Sequence, residues 1–224
     1  MSADGTDGTD GTDGTVVGAD GVSRCAWAGS TPDYLTYHDQ EWGRPVHGEQ
    51  ALFERLTLEA FQSGLSWLTI LRKRPAFRAA FHDFDPERVA AYDAADRARL
   101  MADAGIVRNA RKIDAAIGNA AVVLALRDDL QGCDGRGTHG GLDALLWSHA
   151  PAHHRPPQRL TDVPATSPES IALARTLKKR GFAFVGPTTM YAAMQACGLV
   201  DDHVAACHRS GVHEPGAQQR SGPR

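Results

Sequence analysis

The clearest periodic stretch follows Gly48. Leu52, Phe53, Leu56 and Ala60 recur at helical spacing and form one apolar stripe, which predicts a helix between Gly48 and Gly64. Two further helices announce their own ends. Asp85-Pro86-Glu87 sets an N-cap residue before a proline at the first helical position. Ser167-Pro168-Glu169 repeats the device, and Lys178-Lys179-Arg180-Gly181 supplies the basic last turn and following glycine that stop a helix. Leu100 to Ile113 reads as helix, a tight turn at Gly105, and a second helix. Alternating β-branched runs are scarce, and Phe182 to Val185, the nearest to one, is too short to found a sheet. The predicted class is all-α.

Composition narrows where that fold lies. Residues 1–23 are built on an Asp-Gly-Thr triplet with almost nothing to bury, and are expected to be disordered. Residues 211–224 read as a second loose tail and Gln131 to Gly141 as an exposed loop, which leaves one domain over residues 24–210. The formal net charge of −3 looks unsuited to a nucleic-acid partner, but five aspartates lie in the first 23 residues with no Lys or Arg; without them the charge becomes +2. That permits a modest phosphate-binding surface without arguing for one. No apolar run approaches the ~18 residues of a membrane span. No basic-then-apolar leader opens the chain, so a cytoplasmic protein is expected. In such a compartment Cys25, Cys133, Cys197 and Cys207 suit metal binding or packing better than disulfides.

Three constellations carry chemistry. His203 and Cys207 are four apart in a stretch, Asp202 to Ala206, that can be helical, which would set both on one face as two ligands of one metal. Cys25 and His38 would complete a Cys2His2 tetrahedron fastening the start of the domain to its finish; Cys197 competes, but its apolar helix suits packing. Glu59 falls in the middle of the apolar stripe, where a carboxylate is costly without partners. It is either a satisfied core residue or a carboxylate kept in an apolar pocket for a polar or cationic ligand. Trp27, Tyr34, Tyr37, Trp42 and Trp67 gather nearby in sequence, as a stacking pocket for a base would require. The turn at Gly105 and Ile106 can aim backbone N–H groups and the following helix's dipole at a phosphate, with Arg108, Arg111 and Lys112 adding charge; a plain αα-hairpin would look the same.

These runs resemble the type I DNA-3-methyladenine glycosylases of bacteria, within the helix-hairpin-helix glycosylase superfamily. The likeness passes through Arg24-Cys25-Ala26-Trp27, Tyr34 to Gly43, Gly64-Leu65-Ser66-Trp67, Ala104-Gly105-Ile106 and Gly118-Asn119-Ala120. It ends with Lys178 to Phe182, Phe184-Val185-Gly186 and Met194 to Val200, followed by Asp202-His203. Ala26 stands where the family has glycine. The resemblance implies a monomeric enzyme that extrudes 3-methyladenine from double-stranded alkylated DNA and excises it, leaving an abasic site. It assigns one structural zinc ion to Cys25, His38, His203 and Cys207. It assigns the base pocket to Glu59, as the catalytic group, with Trp27, Tyr34, Tyr37, Trp42 and Trp67, and a wedge into DNA to Gly64 and Leu65. Many superfamily members carry a catalytic Asp some two dozen residues past the hairpin. The family lacks it, and Asp128 and Asp129, near that offset, read as solvated helix-end charges. A zinc-dependent DNA-binding module without activity, or a glycosylase for bulkier alkylated purines, are the alternatives.

Overall fold

The computed structural model describes residues 14–129 and 141–212. Most of the tail repeat, Cys133, nearly all of the Gln131–Gly141 stretch and residues 213–224 lie outside them. The described chain is helical, as expected: α1 (Pro32–Gln40), α2 (Glu49–Gln62), α3 (Trp67–Ala80), α4 (Pro86–Ala90), α5 (Ala94–Ala102), α6 (Ala110–Asp129), α7 (Gly141–Trp147), α8 (Pro168–Lys179) and α9 (Pro187–Ala196). The end signals work as read. Asp85 accepts from the amides of Glu87 and Arg88, and Ser167 and Ser170 cap one another's amides at the start of α8. Beyond the α8 end, Gly181 takes φ +101°. Among the described residues no helix is long and apolar enough to cross a membrane.

α2 is the hub of the core. Every residue from Leu52 to Phe61 is buried, so this helix has no solvent-facing side there. α3, α6, α7 and α9 pack around it. The amphipathic stripe therefore located the helix and understated its burial. Of the charged residues this encloses, Glu54 and Arg55 are held by pairing: with Arg74 and Glu41 they form a chain of ion pairs.

One expectation is corrected at the start of the chain. Residues 14–23 are not featureless: β1 (Thr15–Val17) pairs antiparallel with β2 (Ser23–Cys25), with Val16 opposite Arg24. Thr15-Val16-Val17 is a β-branched triplet directly after the repeat, and the Gly18–Val22 bond at 3.0 Å, with Gly21 at φ +74°, closes the turn. Asp20 then clamps the Arg24 guanidinium at 2.7 Å. Gly141, read as the loop's last residue, is buried and opens α7.

Candidate active site

A cavity of about 310 Å³ opens between α1, α2, the start of α3 and the end of α9. That volume is at the small end of ligand pockets, roughly 300–1,000 Å³. All five sequence-predicted aromatics and Glu59 line it. Trp27 is the hub of the aromatic cluster, edge-on to Tyr34 at 5.6 Å and to Trp42 at 5.1 Å, while Tyr37 and Trp67 meet at 5.4 Å. The Tyr34 hydroxyl accepts the Leu68 amide at 3.0 Å, locking α1 to the start of α3. Rings held this way present fixed apolar faces on which a flat heterocycle can stack.

Glu59 is 4 % exposed and makes no hydrogen bond among the described residues. Burial pushes its carboxyl pKa up to about 8, with the Arg55 guanidinium opposing the rise. Burial, helped by the Glu59 carboxyl, likewise raises the Tyr37 phenol. The Glu59 carboxyl thus borders the cavity and has no hydrogen-bond partner among the described residues.

The second cluster joins the ends of the domain. Cys25 closes β2, His38 sits in the last turn of α1, and Cys207 follows α9; their ligand atoms lie within 4.8 Å of one another and all three residues are buried. The Cys207 sulfur lies 3.4 Å from His38 Nε2. His203 is set against them, its ring 5.1 Å from that of His38. It packs so close to Gly43 that a Cβ there would come within 2.5 Å of the imidazole. The helical reading of this segment is corrected: residues 201–212 form successive turns. Asp201 accepts the His203 amide at 3.1 Å and the Gly211 amide at 2.6 Å, and so takes the backbone out of a helical ladder. Cys25, His38 and Cys207 form a donor set that could hold a metal ion. Both imidazoles are oriented through Nδ1, by Asp39 at 2.8 Å and Asp201 at 2.7 Å. His203 Nε2 is buried without a hydrogen-bond partner, as an imidazole awaiting a metal would be.

The sequence-predicted DNA-facing residues divide. Gly64, at φ +83°, and Leu65, 41 % exposed, form the turn between α2 and α3, flanked by the cavity residues Gln62 and Trp67. Leu65 is thus an exposed apolar side chain between two residues of the cavity wall. The α5–α6 turn is different. Ile106 is buried in the core, and the Gly105 amide is already taken by Asp103 at 2.7 Å. Lys112 is not offered to a phosphate: its ammonium donates to the Phe61 and Ser63 carbonyls at 2.8 and 2.6 Å, capping the C-terminal end of α2. Burial lowers its pKa accordingly. Arg108 and Arg111 are the exposed cations of this turn.

The sequence pattern of the methyladenine glycosylases matches residues 27–210. This chain belongs to that family. It is 44 % identical over 190 residues to DNA-3-methyladenine glycosylase 1 of Escherichia coli, covering 83 % of this chain and 96 % of the relative. Against the Haemophilus influenzae DNA-3-methyladenine glycosylase it is 42 % identical over 189 residues, 83 % and 97 % of the two chains. A variant of 3-methyladenine DNA glycosylase I solved with 3-methyladenine superposes with a TM-score of 0.76 at 34 % identity, over 85 % of this chain and 99 % of that one. The all-α fold is thus that of the methyladenine glycosylases.

Sequence reasoning missed part of this family member's cavity wall. Leu160, Val163, Ala192, Gln195 and Asp202 also line it. Ala192 and Gln195 lie three apart on α9, a helical spacing that gave no hint of facing Glu59. Asp202 was read only as the residue before a ligand.

Proposed function

We infer that this chain is a monofunctional DNA N-glycosylase that removes 3-methyladenine from alkylated duplex DNA. The observation that carries the reading is Glu59, a carboxyl held in an aromatic cavity without a hydrogen-bond partner, in a chain of the methyladenine glycosylase family. Adenine alkylated at N3 is a cation. Entering the cavity, it stacks on the Trp and Tyr rings and draws Glu59 towards its ionised form, because an opposite charge favours the carboxylate. A neutral adenine offers no such gain, so the same group selects against undamaged bases. Breakage of the glycosidic bond sends its electron pair into the purine, which leaves neutral. Water adds to the sugar carbon and releases a proton, giving the abasic site. The leaving group needs no general acid, and catalysis consists of extruding, stacking and favouring the transition state. Leu65 fills the space left in the duplex, and Arg108 and Arg111 contact phosphate. Single-turnover release of 3-methyladenine from methylated DNA, followed by chromatography, tests the reading; release of bulkier alkylated purines in its place would move the substrate to the alternative class.

Cys25, His38, His203 and Cys207 would hold one zinc ion with all four positions filled by protein, which makes its contribution structural. It would tie β2 and α1 to the turns after α9, and so hold the Trp27 wall of the cavity. Cys207→Ala should abolish zinc in elemental analysis and lower the melting temperature; wild-type protein purified without chelator and lacking zinc would refute the site.

A further inference from the structure

Gln195 stands in the last turn of α9, in the wall of the cavity that Glu59 lines. Its side-chain nitrogen donates to Asp202 Oδ2 at 2.8 Å. The same oxygen accepts the Tyr191 hydroxyl at 2.7 Å, and Asp202 Oδ1 lies 3.0 Å from His154 Nε2. Asp202 itself is 3 % exposed. A carboxylate surrounded in this way accepts hydrogen bonds and offers none.

That settles which end of the amide is which. A glutamine side chain has a donating and an accepting end of nearly the same shape. Turning the Gln195 amide over would set its carbonyl oxygen against a buried carboxylate oxygen, exchanging a charge-assisted hydrogen bond for a repulsion between two acceptors. With one N–H of its nitrogen given to Asp202, the Gln195 amide is fixed in orientation, and its carbonyl oxygen is the acceptor it has left for a ligand. The cavity then carries two acceptors, Glu59 and the Gln195 carbonyl.

We propose that Gln195, locked in one orientation by Asp202, is a specificity-determining residue that admits purines bearing an amino group at position 6 and rejects those bearing oxygen there. The proposal rests on the reading of this cavity as the base site. An adenine 6-amino group has two N–H bonds and can serve both acceptors. A guanine would bring a third acceptor, its 6-oxygen, towards a carbonyl oxygen that cannot turn away from it. Sites built on hydrogen bonding reject a mismatched analogue far more sharply than apolar pockets reject a change of size. Asp202 is in this account a positioning residue.

The test uses full-length protein and duplex DNA carrying both 3-methyladenine and 3-methylguanine, with single-turnover release of each base measured by chromatography. Zinc content and melting temperature are followed for every variant. Wild type should strongly favour 3-methyladenine. Gln195→Ala should narrow the ratio of the two rates by roughly tenfold, the loss of about one hydrogen bond. Asp202→Asn, whose amide can donate to a turned Gln195, should narrow it with Gln195 intact. A folded Gln195→Ala whose ratio stays within twofold of wild type overturns the proposal. A narrowed ratio in Gln195→Ala with none in a folded Asp202→Asn overturns the lock. Wild type that releases neither base overturns the functional reading itself.

Discussion

Glu54 and Glu59 lie five residues apart on α2, both buried, at 8 % and 4 % exposure. At about 100° per residue they point to well-separated sides of the helix. Glu54 accepts from Arg74 at 2.6 Å and from Arg78 at 3.0 Å, and Arg74 continues to Glu41, which also takes Arg55 at 2.9 Å. Glu59 meets aromatic rings and a cavity, and burial raises its pKa to about 8. Burial of a carboxylate is thus no sign of function by itself. A buried carboxylate paired inside the fold needs no ligand to explain it; one without a hydrogen-bond partner beside a cavity is open to a ligand that brings positive charge.

The comparison breaks most readily at Glu54. Glu54→Ala strips Arg74 and Arg78 of a shared partner, and with Glu41 still in place the loss should be about 3 kcal/mol of folding stability by urea denaturation. The folded remainder should still excise the base. Stability near wild type with release abolished would exchange the roles of the two residues.

Glu59→Ala should do the opposite. Loss of a hydrogen bond to a charged group is worth roughly 1.5–3 kcal/mol, or about 10- to 150-fold in single-turnover release of 3-methyladenine. The folding stability should change less than in Glu54→Ala, since no buried cation loses its salt-bridge partner.

The pH dependence of stability sharpens the contrast. The folded pKa of Glu59, about 8, lies above the ordinary glutamate value of 4.5. The native state therefore holds the proton that the unfolded chain gives up. The stabilising contribution is full below about pH 4.5 and is lost as the pH rises through about 8. Wild type should lose roughly 1–2 kcal/mol relative to Glu59→Gln between pH 6 and pH 8. Parallel curves for the two proteins would mean that Glu59 is already ionised in the native state.

Legibility in the sequence followed the range of the interaction. Caps at Asp85 and Ser167 were readable because capping acts over three residues. Glu59 was readable because helical periodicity placed it among Leu52, Phe53 and Leu56, although α2 proved buried on every side. The cluster of Cys25, His38 and Cys207 was readable from residue type, but the backbone around His203 was not, because Asp201 caps turns where spacing alone suggested a helix. Lys112 looked like a phosphate contact until the fold put the Phe61 carbonyl, 51 positions earlier in the chain, beside its ammonium. Gln195 and Asp202 were legible only as positions within the family resemblance, not as cavity wall: that depends on which cavity α9 borders, and no local pattern encodes it.

The smallest expected effect guards the comparison from outside α2. α6 ends at Asp129, so Asp128 and Asp129 occupy its last turn. By the resemblance read from the sequence, they stand near the offset at which many helix-hairpin-helix glycosylases carry a catalytic aspartate. Such a group serves to activate water or steady a developing positive charge on the sugar. With a cationic base the bond is already weak, and the charge that must be recognised lies on the base, where Glu59 can meet it. Asp128→Asn and Asp129→Asn should each remain within about twofold of wild type in single-turnover release, less than ~0.5 kcal/mol. Removing a negative charge from the C-terminal turn of α6 should, if anything, stabilise the helix slightly against its dipole. Were either variant to lose release while Glu59→Ala kept it, the chemistry would belong to the end of α6, and the unanswered carboxylate on α2 would need another explanation.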